Sequence, residues 1–308
     1  MEAHRALGMV LYPLGDLTQA RSHLEQGLVL ADAHWYRSPY HLNGHDPRVL
    51  CRSYAALPLW FLGYPSQATQ RVHEGLTLAR ELGHPFSMAH ALSVVASLYE
   101  LRREGAVVRE QAEEAMAMAH EHGFPFFASW ARMLQGWALT EQGDIAEGIA
   151  QLHDGLAAYR AIGAALGCPY FLGLLAQACG RAGQTDQGLV VLEEALTTAH
   201  HTGERLYEAE LYRLQGELLL QVAGRDRARL ASAMTEAAHC WHQALDIARR
   251  QEAKSLELRA PMSLARLWQQ QGKRQEAHDL LAPIYGWFTE GFDTADLQEA
   301  KALLEELA

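Results

Sequence analysis

Gly83, Gly123, Gly163 and Gly203 each fall forty residues after the one before, and each closes a helical run that copies its predecessor. The register extends upstream of the glycines. Glu74, Glu114, Asp154 and Glu194 coincide, as do Leu76, Met116, Leu156 and Leu196, and Ala79, Ala119, Tyr159 and Ala199. A second series, Gly15, Gly63, Gly105, Gly143, Gly183, Gly224 and Gly272, is interleaved with the first, so each unit has two turns. Between turns the apolar residues recur at three- and four-residue spacing, for example Leu172, Leu175, Ala176 and Cys179, then Leu189, Leu192, Leu196 and Ala199. That is the stripe of an amphipathic helix. Each unit therefore reads as a helical hairpin. A repeat of about 40 residues built from two helices is the signature of the α-solenoids, in which stacking supplies the core that no single hairpin can bury.

The expected fold is all-α: a right-handed superhelix of about seven hairpins forming one domain over residues 1–308. The hairpins are placed near 3–34, 48–82, 85–122, 125–162, 168–202, 204–251 and 253–290, with a capping helix at 294–307. Pro85, Pro125 and Pro169 sit at helix starts, where a missing N–H costs nothing. Trp35 to Pro47 carries Pro39, Asn43-Gly44 and Asp46-Pro47, turn chemistry that cannot continue a helix. After Gly224, the stretch Arg225-Asp226-Arg227-Ala228-Arg229 adds about nine residues to the sixth unit and is expected as an exposed loop.

Composition narrows the function classes. A formal net charge of −11 and the lack of any Lys or Arg run give no footprint for a phosphate backbone, so no nucleic-acid partner is expected. No stretch of eighteen uninterrupted apolar residues and no charged-then-apolar leader occurs, so the chain is expected in the cytoplasm with no membrane partner. Cys51, Cys168, Cys179 and Cys240 are far apart with no CxxC pair, as buried residues in a reducing compartment would be.

Leu7-Gly8, Leu11, Ala20, Leu24 and Gly27 in the first unit, and Leu175-Ala176, Cys179, Gly188, Leu192 and Ala195 in the fifth, resemble tetratricopeptide (TPR) repeats. The small residues fall where the two helices of a hairpin would cross most closely. The units are longer than the usual length of about 34 residues. The string from Tyr207 to Leu220, with Ala244–Gln251, Ser255–Ala260 and Tyr285–Thr294, is similar in content and order to the C-terminal TPR region of large bacterial signalling proteins. In those, a class III adenylate or guanylate cyclase domain precedes an AAA- or STAND-type ATPase and then the repeats. The resemblance implies a regulatory or sensor region, with an ATPase or cyclase domain of the same parent as one partner. This chain has no GxxxxGK[ST] loop and no cyclase-like carboxylate pair, so any catalytic parts would lie elsewhere in such a parent.

His239 and His242 stand three residues apart on one helix, a spacing that permits chelation, but no HExxH and no third ligand in register accompany them. His120, His122, His200 and His201 lie at the ends of second helices, where a cationic ring favours the negative end of the macrodipole. No GxSxG, Cys-His or paired-acid constellation appears, so the chain is expected to be non-catalytic and to need no metal or cofactor.

The surface with most promise is the one lined by the first helix of each hairpin, concave in a TPR stack. Helical phase points there with Arg5, Tyr12, Trp60, Trp130, Trp137, Tyr170, Arg181, Arg213 and Arg266, aromatic in the N-terminal half and basic in the C-terminal half. Trp, Tyr and Arg dominate binding energy at interfaces. For Trp60, Trp130 and Trp137 the competing expectation is packing between hairpins. Tyr285, Trp287, Phe288 and Phe292 are expected to seal the last hairpin against the capping helix. The leading function is a scaffold that binds a partner protein or peptide. The alternatives are a small-molecule or peptide sensor pocket within the superhelix, and self-association as a homo-oligomer.

Overall fold

The computed structural model describes residues 1–34, 44–224 and 227–308. The loop expected from Trp35 lies largely outside the described residues, as do Arg225 and Asp226. Fifteen α-helices and no strand occur among the described residues. They fall into two compact units, each described by itself.

Unit 1 comprises Met1–Trp60 and Ser66–Gly167. It holds α1 (Glu2–Leu11) and α2 (Leu17–His34), α3 (Pro47–Phe61) and α4 (Pro65–Leu82), α5 (Pro85–Leu101) and α6 (Gly105–His122), and α7 (Pro125–Gln142) and α8 (Ile145–Ala161). Unit 2 comprises Phe61–Pro65 and Cys168–Ala308. It holds α9 (Cys168–Arg181) and α10 (Thr185–Thr202), α11 (Glu208–Ala223) and α12 (Arg227–Arg250), α13 (Lys254–Gln270) and α14 (Arg274–Tyr285), and finally α15 (Ala295–Leu307). Helices pack in consecutive pairs, and first helices also touch first helices: α5 meets α7, and α9, α11, α13 and α15 meet in succession.

Local chemistry sets the helix ends. Pro85 and Pro125 are first residues of α5 and α7, as the sequence predicts. Gly123 ends α6 at φ 69°, and the following N–H, of Phe124, reaches back to the Ala119 carbonyl at 2.8 Å. Only a residue without Cβ adopts that conformation at no steric cost. The second glycine series needs one correction. The left-handed residue of the third turn is Arg103 (φ 66°), not Gly105, which is already the first residue of α6. With Arg103 in place of Gly105, the left-handed residues 63, 103, 143 and 183 are spaced by forty throughout. Gly105 serves packing instead, since a Cβ there would lie 3.2 Å from that of Glu141 on α7.

Within hairpins the small residues do what the TPR resemblance implies. A Cβ on Gly136 of α7 would sit 2.7 Å from the Gly148 carbonyl oxygen of α8, and one on Gly148 would sit 2.5 Å from that of Gly136. The backbones touch, and no side chain could give way.

The insert of the sixth hairpin is a correction. From Arg227 onward it is helix, so α12 runs for 24 residues where α10 has 18, and the extra residues lengthen the helix rather than form a loop. An amphipathic helix gains a hydrogen bond per added residue, whereas a loop would leave its backbone to water. Ala237 and Trp241 of α12 pack on Leu264 and Leu267 of α13, and Ala244 and Leu245 pack on Ala260. Burial of each large apolar side chain is worth ~1.5–3 kcal/mol. At the C-terminal end Leu297, Ala300, Leu303 and Leu307 of α15 close the core, and Glu305 and Glu306 face water. Phe288 lies in that core with Tyr285 packed against it, while Trp287 and Phe292 remain partly exposed.

Candidate functional site

In unit 2, the first helices bring ionic side chains from three separate stretches of sequence into one row. Glu210, Arg213 and Glu217 share a stripe of α11 at spacings of three and four. Arg213 grips Glu210 with a fork, Nε to Oε2 at 2.9 Å and Nη2 to Oε1 at 2.7 Å, and its Nη1 donates to Glu217. From α13, Arg259 reaches Glu210 Oε1 at 3.5 Å and donates through Nε to Asp296 Oδ2 of α15 at 2.7 Å. Ser263 Oγ donates to Glu217 at 3.3 Å. Further along, the exposed pair Arg266–Glu299 (2.9 Å) continues the row.

Glu210 is buried, and Arg213 and Arg259 are nearly so. Burial works against the charge on both arginines, yet the carboxylates outweigh it: Glu210 and Glu217 hold Arg213, and Asp296 and Glu210 hold Arg259, above the ordinary arginine range. Such a network gains little net stability against an apolar core, but removal of one member strands its partners. The C-terminal half of the first-helix row is thus charge-balanced, because each of these cations meets a carboxylate from a neighbouring turn or helix.

The remaining predicted residues divide by position. Tyr170 is half-buried, edge-on to Tyr207 at 5.0 Å between centroids, and Arg181 is exposed at the end of α9. In unit 1, Arg5 donates from Nε to Glu2 at 2.7 Å and from Nη1 to Met9 Sδ at 3.0 Å. Tyr12 follows α1, its hydroxyl held well above the usual phenol range by burial and by Tyr54 and Glu100. Trp60 and Trp137 are core residues. Trp130 is half-buried and donates from Nε1 to Ser97 Oγ at 3.1 Å.

Several residues of interest escaped the sequence reading. His90, Ser93, Ser97 and Glu100 form a polar stripe along α5 that is buried, on a helix apolar on its other faces. His90 is 4% exposed and neither ring nitrogen has a hydrogen-bond partner. It sits 5.0 Å from Tyr54 and 6.3 Å from Phe127, centroid to centroid. Burial, with smaller contributions from His45 and Arg5, pushes its pKa down to about 3. The signal was there: polar residues at 90, 93, 97 and 100 share a helical face. In unit 2, Glu210, Arg259 and Asp296 were missed because pairing across helices leaves no mark on local spacing.

Elsewhere in unit 1, a groove of about 590 Å³ opens beside Arg52, His73, Glu74 and Glu81, where Asp32 already engages Arg52 through both oxygens (3.0 and 2.9 Å). Among the described residues, no group of three or more His, Cys, Asp or Glu is placed to hold a metal ion, and no helix is long and apolar enough to cross a membrane. His242 lies 6.3 Å from the Trp268 ring.

No protein-family model matches the chain. An uncharacterised protein of Rhizobium meliloti (strain 1021) is 25% identical over 268 residues, covering 87% of this chain. The chain spans only a quarter of that relative's length. Among solved structures, a Rap protein complexed with Competence and Sporulation Factor is similar at TM-score 0.58 and 12% identity, over 99% of this chain and 76% of that one. Human IFIT1, solved as a dimer with m7Gppp-AAAA, is similar at TM-score 0.57 and 14% identity, over 96% and 61%. A STAND protein with a tetratricopeptide repeat sensor from Pyrococcus horikoshii is similar at TM-score 0.52 and 12% identity, over 99% and 44%. The fold is TPR-like, of the α-solenoid class. At these identities the likeness is one of fold alone.

Proposed function

We propose that the chain is a non-catalytic scaffold that binds a protein or peptide along its first-helix faces, as the regulatory or sensor region of a bacterial signalling ATPase or nucleotide cyclase. It acts in the cytoplasm, and its partners include an ATPase or cyclase domain of the same parent protein. The observation that carries the reading is the ionic row on α11, α13 and α15. The buried Arg259–Glu210 and Arg259–Asp296 pairs fix the first helices against one another, and the exposed Arg266–Glu299 pair at the end of the row offers both signs of charge to the polar groups of an extended peptide. Two of the similar structures support the reading, one a Rap protein complexed with Competence and Sporulation Factor and one a STAND protein with a tetratricopeptide repeat sensor. The likeness of Tyr207–Leu220 and the segments after it to cyclase–ATPase–TPR proteins supports the placement in signalling. The mechanism is differential binding: a partner shifts the resting state by no more than the difference between its affinities for the two states.

The test is affinity capture from the source cell with wild type and an Arg181→Ala/Arg266→Ala variant. Both arginines are exposed, whereas removal of Arg213 would strand Glu210. A partner bound by wild type and lost by the variant supports the reading. Identical recovery by both removes the first-helix face as the site.

A further inference from the structure

Where α1, α3 and α5 of unit 1 converge, charged and titratable side chains surround one buried imidazole. The ring is that of His90 on α5, and neither of its nitrogens has a hydrogen-bond partner. Tyr54 of α3 lies tilted against it and Phe127 of α7 stands edge-on. The remaining groups that face it are basic. Arg5 of α1 and His45, just ahead of α3, both oppose a proton on the ring, and no carboxylate among the described residues offsets them. Glu2 of α1 is engaged by Arg5 at 2.7 Å and lies 3.9 Å from His45. Glu100, further along α5, acts instead on the Tyr12 hydroxyl, as Tyr54 does.

The same junction holds the α1–α2 hairpin against α3. Gly27 of α2 covers Cys51 of α3: a Cβ on Gly27 would sit 3.3 Å from Cys51 Sγ and 3.4 Å from the Arg5 backbone nitrogen. Cys51 is wholly buried, and Asp32 of α2 binds Arg52 of α3 through both oxygens. Arg5 takes part in both arrangements, because its backbone lies by the cover of the Cys51 thiol while its side chain acts on His90. A proton on His90 adds a second cation to a space closed to water, where repulsion is poorly screened. Movement of α1 away from α5 relieves that repulsion and lets water reach the ring. We infer that His90 is an acid-sensitive catch: once protonated, it releases the α1–α2 hairpin from α3 and α5 while the rest of the chain stays folded. The catch needs no partner and stands apart from the binding role proposed above.

The test is thiol labelling of the full chain with dithiodipyridine at pH 7 and pH 5, read peptide by peptide by mass spectrometry. All four cysteines are buried, so Cys51 reports release of the hairpin, whereas Cys179 and Cys240 of unit 2 report unfolding elsewhere. A ring that binds its proton near pH 6.5 when released and near pH 3 when enclosed makes the released state about twenty-five-fold more populated at pH 5 than at pH 7. The Cys51 rate in wild type is divided by that in His90→Leu, which removes the thiol's own pH dependence. This ratio should rise by about that factor, and the ratios at Cys179 and Cys240 should stay flat. His90→Gln keeps a polar side chain without titrating and should behave as His90→Leu does. An unchanged ratio at Cys51, or a His90→Gln variant that follows wild type, overturns the inference. So does an equal rise at Cys179 and Cys240, because acid then unfolds the chain as a whole.

Discussion

Acidification should destabilise this protein through His90, and replacement of that residue by leucine should remove the effect. In the native state the ring is 4% exposed, lies against Tyr54 and Phe127, and has a pKa pushed down to about 3 from the ordinary 6.5. The unfolded chain binds a proton near pH 6.5 and the native one does not until about pH 3. Stability is therefore fully present above the unfolded value and is lost as pH falls through the window between the two, at up to about 1.4 kcal/mol per pH unit. From pH 7 to pH 5 this amounts to about 2 kcal/mol. The assay is urea unfolding of wild type and His90→Leu at pH 7, 6 and 5, followed by circular dichroism. Carboxylates contribute equally to both proteins, so the difference between the two curves isolates the imidazole. At pH 7 the leucine variant should match or exceed wild type, because it removes two unsatisfied buried nitrogens. The gap should then widen by about 2 kcal/mol by pH 5. Parallel pH profiles would mean that His90 takes up its proton in the folded state, and would refute the burial argument.

Three further outcomes follow from the geometry. Glu210→Ala strands Arg213 and Arg259 in the interior and should cost about 3–5 kcal/mol in urea unfolding, whereas Glu210→Leu combined with Arg213→Met should cost less than the sum of the single changes. Gly136→Ala places a methyl against the Gly148 carbonyl and should lower the melting temperature more than Gly105→Ala, whose neighbour is the Glu141 side chain. Arg103 is left-handed at φ 66°, so Arg103→Val should have a lower urea midpoint than Arg103→Gly, both having lost the same side chain and only the former straining a branched residue.

Repeat architecture made much of the fold legible. The spacing of Gly83, Gly123, Gly163 and Gly203, with the apolar stripes between them, is enough to divide the chain into hairpins, because a helix end and a buried face each require a residue type at a fixed interval. Where the reading slipped, the responsible contact lay outside the local sequence. Gly105 looked like a turn residue and is a packing residue. The stretch after Gly224 looked like a loop and, from Arg227, is helix.

For the candidate site, periodicity could name the first-helix face and place Arg5, Tyr12, Tyr170, Arg213 and Arg266 among its candidates. It could not say that Arg213 already has two carboxylate partners, or that Trp60 and Trp137 are interior. What the sequence determines by itself is whatever depends on intervals within one helix or turn: the hairpin period, the apolar stripe, the small residues at crossings. What only the tertiary structure decides is pairing between distant residues, such as Arg259 with Asp296, or the isolation of His90 among Tyr54 and Phe127. These contacts join residues whose separation in sequence carries no period, and the sign of each energy depends on burial, which one stretch of chain does not reveal.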